Sequence, residues 1–204
     1  MMILATRSAG KLRELRPLFA AHGIQVVSLA EAGVQESAHE EHLEEFNTFE
    51  ANALAKARYF FGLTSVPVVA DDSGLAVVAL AGAPGVMSKR WSGRPDLSGQ
   101  ALDDENNRLL VEQLRGVSDR HAGYVCAAAY VDATRELVCR GEPAGVILES
   151  PSGSGGFGYD PYFQSAELGK TFGEVSRAAK EAVSHRGRAF RALLGVLDPR
   201  SQQG

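Results

Sequence analysis

The run VPVVADDSGLAV (residues 66–77) constrains the fold of this chain more than any other feature. Its apolar, β-branched start reads as a buried strand from Val66 to Ala70. The strand then stops on two adjacent carboxylates, Asp71 and Asp72, followed by Ser73 and Gly74. Strand geometry delivers both acids to one edge of a sheet. Like charges that close repel, so the pair needs a compensating cation or a shifted pKa. That is the chemistry of a magnesium site or a general base. Asp and Ser also cap helices and form turns, so the motif alone also describes a strand running into a cap.

The rest of the chain alternates strand and helix patterns. Met1 to Thr6 and Ile24 to Leu29 read as short strands. Between them Ser8 can cap a helix over residues 9–21, with Leu12, Leu15, Leu18 and Phe19 on one face and a kink expected at Pro17. An Ala-rich helix is expected from about Thr48 to Gly62, and an amphipathic one from Leu102 to Gly116. Gly123 to Val131 and Leu137 to Cys139 form a hairpin around Asp132 to Arg135, and Gly141 to Glu149 continues its second strand past Pro143. Two helices, about Ser176 to Ser184 and Arg186 to Leu197, precede a tail, Ser201 to Gly204, read as disordered. The class is α/β, and the hairpin makes the sheet mixed.

At 204 residues, a single domain (residues 1–200), whole or in two lobes, is expected. The net charge of −4 argues against a nucleic-acid binder, which is ordinarily basic. Cys126 and Cys139 lie in neighbouring apolar runs and read as buried thiols rather than a disulfide. No apolar run approaches the roughly 20 residues of a membrane helix, and MMILATRSAGK lacks the layout of a signal peptide. A soluble, cytoplasmic protein with no membrane or nucleic-acid partner is the expectation. Charge is unevenly placed. No Lys or Arg occurs between Pro17 and Ala55, where Glu31, Glu36, Glu40, Glu41, Glu44, Glu45 and Glu50 accumulate, whereas bases dominate after Gly169. A small polyanion held with a metal ion would use both sets.

Four further segments carry chemistry. In ILATRSAGK (residues 3–11) a strand, a tight loop and a helix start bring backbone N–H groups and Lys11 together, which suits phosphate. It is not a Walker A loop, because Ala5 and Leu12 occupy the end positions. In HEEHLEE (residues 39–45) the histidines are three apart rather than four, so a zinc-protease helix is excluded and a solvated loop is expected, although one glutamate could reach a metal at Asp72. Gly153, Gly155 and Gly158 formally match the dinucleotide fingerprint, but Pro161 forbids the helix which that motif must open. The glycines around Phe157 still imply close backbone approach, and the ring could stack on a base. Finally, SHRG (residues 184–187) pairs His and Arg as donors for carbonyl or phosphate oxygens.

In order and spacing these segments resemble the inosine triphosphate pyrophosphatase family, whose motifs look like T-G-N-x-x-K, T-F-x-E-N-A-x-x-K-A, A-D-D-S-G-L, G-A-P-G, G-G-F-G-Y-D-P and S-H-R-G. Here they read TRSAGK, TFEANALAKA, ADDSGLAV, GAPGVMSKRW, GGFGYDPYF and SHRGRA, spanning residue 3 to about 190. The resemblance implies an elongated mixed β-sheet with flanking helices, two lobes around a central cleft, and a homodimer. It implies Mg2+-dependent hydrolysis of ITP, dITP and XTP to the nucleoside monophosphate and pyrophosphate. Asp72 would be general base and metal ligand, with Glu44 the second metal ligand. Thr6, Arg7, Ser8, Ala9, Gly10, Lys11 and Lys56 would hold the phosphates. Ser73, Phe157, Gly158, Tyr159, Asp160, Lys180, His185 and Arg186 would line the nucleotide pocket. Arg186, facing the purine 6-position, would disfavour the amino group of adenine.

Two departures from the family pattern bear on this reading. Ser8 stands where the family has Asn. Ala51 stands where it has Glu, with Glu50 one place earlier and about 100° round the helix. They are the support for one alternative, a non-catalytic nucleotide-binding protein on the same fold; a second alternative is a pyrophosphatase of related fold for other substrates, such as modified pyrimidine nucleotides.

Overall fold

The computed structural model describes residues 1–197; the tail at Ser201 to Gly204 lies outside them. Among the described residues seven strands, β1 (Met2–Leu4), β2 (Val26–Ser28), β3 (Val68–Val77), β4 (His121–Val131), β5 (Glu136–Gly141), β6 (Ala144–Ile147) and β7 (Phe163–Ser165), form one mixed sheet in the order β2-β1-β3-β4-β6-β7, with β5 also paired to β4. Strand β1 (Met2–Leu4) runs parallel to β2 (Val26–Ser28) and to β3 (Val68–Val77). Helices α1 (Ala9–Ala21) and α2 (Phe49–Thr64) make the crossovers that parallel pairing requires. Ser8 caps α1 as expected, its hydroxyl accepting from the Lys11 N–H at 3.3 Å, and the helix continues through Pro17 to Ala21. Thr48 caps α2 in the same way, accepting from the Ala51 N–H.

The chain divides into two compact units. Among the described residues, the first holds Met1–Asp72, Cys126–Gly141 and His185–Leu197. Its core joins Leu15, Leu18 and Phe19 of α1, Leu4 and Val69 of the sheet, and Ala189, Phe190, Leu193 and Leu194 of α5 (His185–Leu197). Phe19 and Phe190 meet edge to face at 5.7 Å. The hairpin of β4 (His121–Val131) and β5 (Glu136–Gly141) is antiparallel, as its sequence predicts. Asp132 closes its turn by accepting from the N–H groups of Thr134 and Arg135. Gly141 permits α5 to lie on β5, since a Cβ there would stand 2.2 Å from the His185 carbonyl oxygen. Both cysteines are free thiols, Cys126 buried and Cys139 half-buried.

The second unit holds Ser73–Val125 and Glu142–Ser184. Leu75 and Val77 of β3, Leu110 and Leu114, Tyr124, Ile147, Phe163 and Phe172 make its core. Helix α3 (Gly99–Gln113) starts three residues before the expected position. Strand β6 (Ala144–Ile147) pairs with the first residues of β4, so the bend at Pro143 carries the chain along the same partner strand. A short strand β7 (Phe163–Ser165), hidden in a Pro-punctuated stretch, pairs with β6. Helix α4 (Arg177–Val183) is capped by Ser176. Among the described residues no helix is long and apolar enough to cross a membrane.

One expectation is corrected here. The strand does not stop at the acid pair: β3 continues from Val68 through Asp71 and Asp72 to Val77. Nor are the acids at a sheet edge, because β3 lies between β1 and β4. What ends near the pair is β1, whose pairing with β3 reaches only Leu4↔Val69. Beyond that register the ladder is open on one side, and side chains fill the position. The acidic stretch also departs from a plain loop, forming a 3-10 helix over Ala38–Glu44 with a Ser37–Glu40 capping box.

Candidate active site

The acid pair occupies the first unit, beyond the end of β1. The pleat sends successive side chains to opposite faces, and the two carboxylates accordingly have different surroundings. Asp71, 1% exposed, meets Lys11 Nζ at 3.0 Å and Arg186 Nε at 3.2 Å through the same oxygen, and the buried Cys126 thiol approaches at 3.9 Å. Burial opposes ionisation of Asp71, but Lys11, Arg186 and Lys56 outweigh it and hold the carboxyl well below the usual range. Asp71 is therefore a permanent anion that orders cations.

Asp72 faces the side of α2. Its Oδ2 accepts from Asn52 Nδ2 at 2.8 Å, and Asn52 Oδ1 accepts from the Phe46 N–H at 2.9 Å. Burial raises the Asp72 carboxyl and the negative charge of Glu44 raises it further, against the pull of Lys56, Lys11 and Asn52. Lys56, buried on α2, donates to the Asp71 carbonyl at 2.8 Å and to the Glu44 carboxylate. Burial would neutralise this lysine, but Glu44, Asp71 and Asp72 keep it charged. The open ladder position beyond β1 is thus filled by two ammonium groups, since Lys11 Nζ also reaches the Asp71 carbonyl, at 3.5 Å.

The other expected phosphate contacts lie on the loop and first turn after β1. Thr6 Oγ1 accepts from the Ser8 N–H, while Ala9 and Gly10 open α1. Arg7 forks onto Glu40 at 2.7 and 3.1 Å and donates to the carbonyls of Val34 and Gln35. It thereby ties the loop to the acidic 3-10 helix. Glu50, one place before Ala51, pairs with Arg140 at 2.7 Å.

The side chain of Arg186 is 3% exposed and is held by Asp71 and by Glu14 of α1. In this structure it belongs to the acid centre. His185, also buried, starts α5 beside it.

The remaining pocket residues lie in the second unit, beginning with Ser73, which follows Asp72 in β3. Asp160 is 1% exposed, and its Oδ2 accepts from Lys180 Nζ at 2.6 Å and from the Phe157 N–H at 2.8 Å. The Lys180 ammonium lies 5.0 Å from the centre of the Phe157 ring, a cation–π contact. Tyr159 is buried and donates its hydroxyl to the Ser88 carbonyl at 2.7 Å.

Sequence reading passed over Asn52, although it sits inside the quoted TFEANALAKA segment, and also Glu14. A fully buried amide on an Ala-rich helix is the signal that could have found Asn52, because such a group must have partners. Among the described residues no three His, Cys, Asp or Glu side chains gather as a ready metal cage. Glu44 and Asp72 are a two-carboxylate set. That suits a magnesium ion whose other ligands are water and substrate phosphate.

Fold and centre together define a mixed-sheet α/β protein in which acids able to take a cation stand among lysines able to meet an anion. The chain belongs to the Ham1 family, whose profile matches residues 2–196. It is 48% identical over 199 residues to a dITP/XTP pyrophosphatase of Burkholderia pseudomallei, covering 96% of this chain and 92% of the relative. It is 43% identical over 201 residues to the dITP/XTP pyrophosphatase of Escherichia coli, covering 96% and 97%. A HAM1 protein from Coxiella burnetii superposes with a TM-score of 0.83 at 35% identity, over 96% of this chain and 97% of that one. A nucleoside-triphosphatase / dITP/XTP pyrophosphatase from Mycobacterium abscessus superposes with a TM-score of 0.73 at 40% identity, over 97% and 99%.

Proposed function

We propose that this protein is a nucleoside triphosphate pyrophosphatase. It hydrolyses non-standard purine nucleoside triphosphates (dITP, XTP and ITP) to the monophosphate and pyrophosphate, and so cleanses the nucleotide pool. The observation that carries the reading is the division of the acid pair. Asp71 is neutralised by Lys11 and Arg186, while Asp72 has a raised carboxyl beside Glu44. A base with its pKa lifted toward neutrality is suited to accept a proton. The names of the relatives in Burkholderia pseudomallei and Escherichia coli supply the substrate class.

In this mechanism Asp72 takes a proton from the water that attacks the α-phosphorus. Asn52 holds Asp72 Oδ2 and so fixes the direction from which that proton is accepted. Lys11, Lys56 and the N-terminal turn of α1 stabilise the charge that develops on the departing pyrophosphate. Each lysine has three donors, so contact with Asp71 leaves capacity for phosphate. Glu44 and Asp72 would hold Mg2+, which supplies neutralisation of the triphosphate and polarisation of a phosphoryl oxygen. By resemblance to the family, Phe157 would stack on the purine, with Gly158 and Lys180 beside it. A cytoplasmic homodimer completes the proposal, by resemblance to the family.

A substrate panel of XTP, dITP, ITP, GTP, ATP and dUTP tests the reading, with pyrophosphate and orthophosphate measured separately. Pyrophosphate from XTP and dITP, far above that from ATP and GTP, is expected. Preference for dUTP would move the protein to the modified-pyrimidine alternative. Binding of XTP without turnover in Mg2+ would favour a non-catalytic role.

A further inference from the structure

We propose that Asp103 and Asn107 of α3 are positioning residues that aim Phe157 at the purine ring, and so set selectivity for the base. The inference rests on the function proposed above and adds two residues to it. Asp103 and Asn107 are four apart and share one helix face. Both address a single peptide position in the glycine-rich loop. Asp103 Oδ2 accepts from the Gly158 N–H at 2.8 Å, and Asn107 Nδ2 donates to the Gly158 carbonyl at 2.9 Å. Gly158 thus has both main-chain polar groups satisfied by side chains of one helix rather than by a strand or turn ladder.

Three details show that this grip is specific. Asn107, 4% exposed, uses its amide nitrogen twice, on Gly158 and on the Asp103 carbonyl at 2.8 Å, and leaves its own Oδ1 buried without a partner. Turning the amide over would set that oxygen against two carbonyls, so its orientation is fixed, and a buried unsatisfied oxygen is tolerated only for a reason. Gly158 has φ +63, a left-handed conformation suited to glycine. A Cβ there would make no worse than a 3.5 Å contact with the Tyr124 hydroxyl, so backbone conformation rather than space requires the glycine. Lastly, Asp103 is held half-buried although this raises its carboxyl, with the Gly158 N–H opposing the rise.

The consequence falls on Phe157. Its own N–H is held by Asp160, and the next N–H in the chain is held by Asp103. The peptide groups on both sides of the residue are therefore fixed, which restricts its backbone torsions and the direction of its ring. The Lys180 ammonium, paired with Asp160, lies against that ring. An aromatic platform recognises a base only if it is already in position, since ordering it on binding would subtract from affinity.

The test compares Asp103→Ala, Asp103→Asn and Asn107→Leu with wild type. Asp103→Ala and Asn107→Leu should raise the KM for XTP about tenfold, with kcat changed less than about threefold, and narrow the XTP-to-GTP ratio of kcat/KM. Asp103→Asn keeps an acceptor for the Gly158 N–H and should recover most of the KM. Hydrogen exchange over residues 152–163 reads the clamp without any substrate, and Asp103→Ala should speed exchange at Gly158. Faster exchange with unchanged KM and selectivity would overturn the inference and leave the function standing. A loss of kcat equal for every substrate, tracking a lower Tm, would make the pair merely structural. A wild-type protein that does not cleave XTP would remove the function and this inference together.

Discussion

Arg186→Met probes the division of the acid pair most revealingly. In the wild type the guanidinium and Asp71 are both almost wholly buried, at 3% and 1% side-chain exposure, and Glu14 takes the other end of the arginine. Removing one partner of a buried ion pair costs about 3–5 kcal/mol, because the other charge stays in a poorly solvating place. Lys11 remains 3.0 Å from the same Asp71 oxygen, which sets the expected loss at the lower end, about 3 kcal/mol. Methionine refills much of the volume, so the cavity contribution is small. For a chain of this size each kcal/mol corresponds to about 2–4 °C, so Tm should fall by about 9 °C at pH 7.

The pH dependence fixes the cause of that loss. Asp71 is depressed in the folded state. Its contribution is therefore present above the unfolded value, near about 4, and is lost as pH falls through the lower folded value. Without Arg186 the depression shrinks, and the folded variant binds a proton at a higher pH than the wild type does. The Tm gap should then hold from pH 7 to about 4 and narrow only as pH is lowered further, below the unfolded value and through the variant's folded value. Thermal unfolding across that range is the assay. A drop of under about 2 °C at pH 7, or a gap that stays constant on acidification below about pH 4, would refute the argument that Arg186 is there to compensate Asp71.

Other consequences are simpler to check. Asn52→Leu removes the donor to Asp72 Oδ2 and the acceptor for the Phe46 N–H; kcat for XTP should fall about 100-fold, with a stability loss of about 2 kcal/mol seen in urea melts. Ser8→Ala deletes the α1 cap and should cost about 1 kcal/mol, while a larger effect on KM than on Tm would show that Ser8 also meets phosphate. Because burial and Glu44 raise Asp72, its ionised form costs stability at neutral pH. Asp72→Asn should therefore have a Tm at or above wild type at pH 7, and the advantage should vanish below about pH 4, where Asp72 is protonated in either state.

Local structure was legible wherever a short-range signal decides it. Ser8 is a cap in sequence and in structure, the expected helix starts at Thr48 and Ser176 fall on caps, and the Asp132 turn announces the β4–β5 hairpin. The strand through the acid pair was not legible, because Asp-Asp-Ser-Gly is a stop signal by local rules. It is overridden by cations 60 and 115 residues away in sequence, Lys11 and Arg186. Strand β7 was masked by Pro161, and its pairing with β6 is equally non-local. In the site, the motifs single out acids and bases but not the partners that hold them. That Arg186 supports Asp71, that Asn52 holds Asp72 and that α3 grips Gly158 are facts of packing between distant segments, and no spacing rule encodes them.

The most direct test of the account is the yield of pyrophosphate from XTP in Mg2+, measured side by side for the wild type and Asp72→Asn, with circular dichroism showing both folded. The account predicts one pyrophosphate per nucleoside monophosphate from the wild type and a rate at least about 1,000-fold lower from the variant. Orthophosphate as the first product, or a variant that turns over at a wild-type rate, would contradict it.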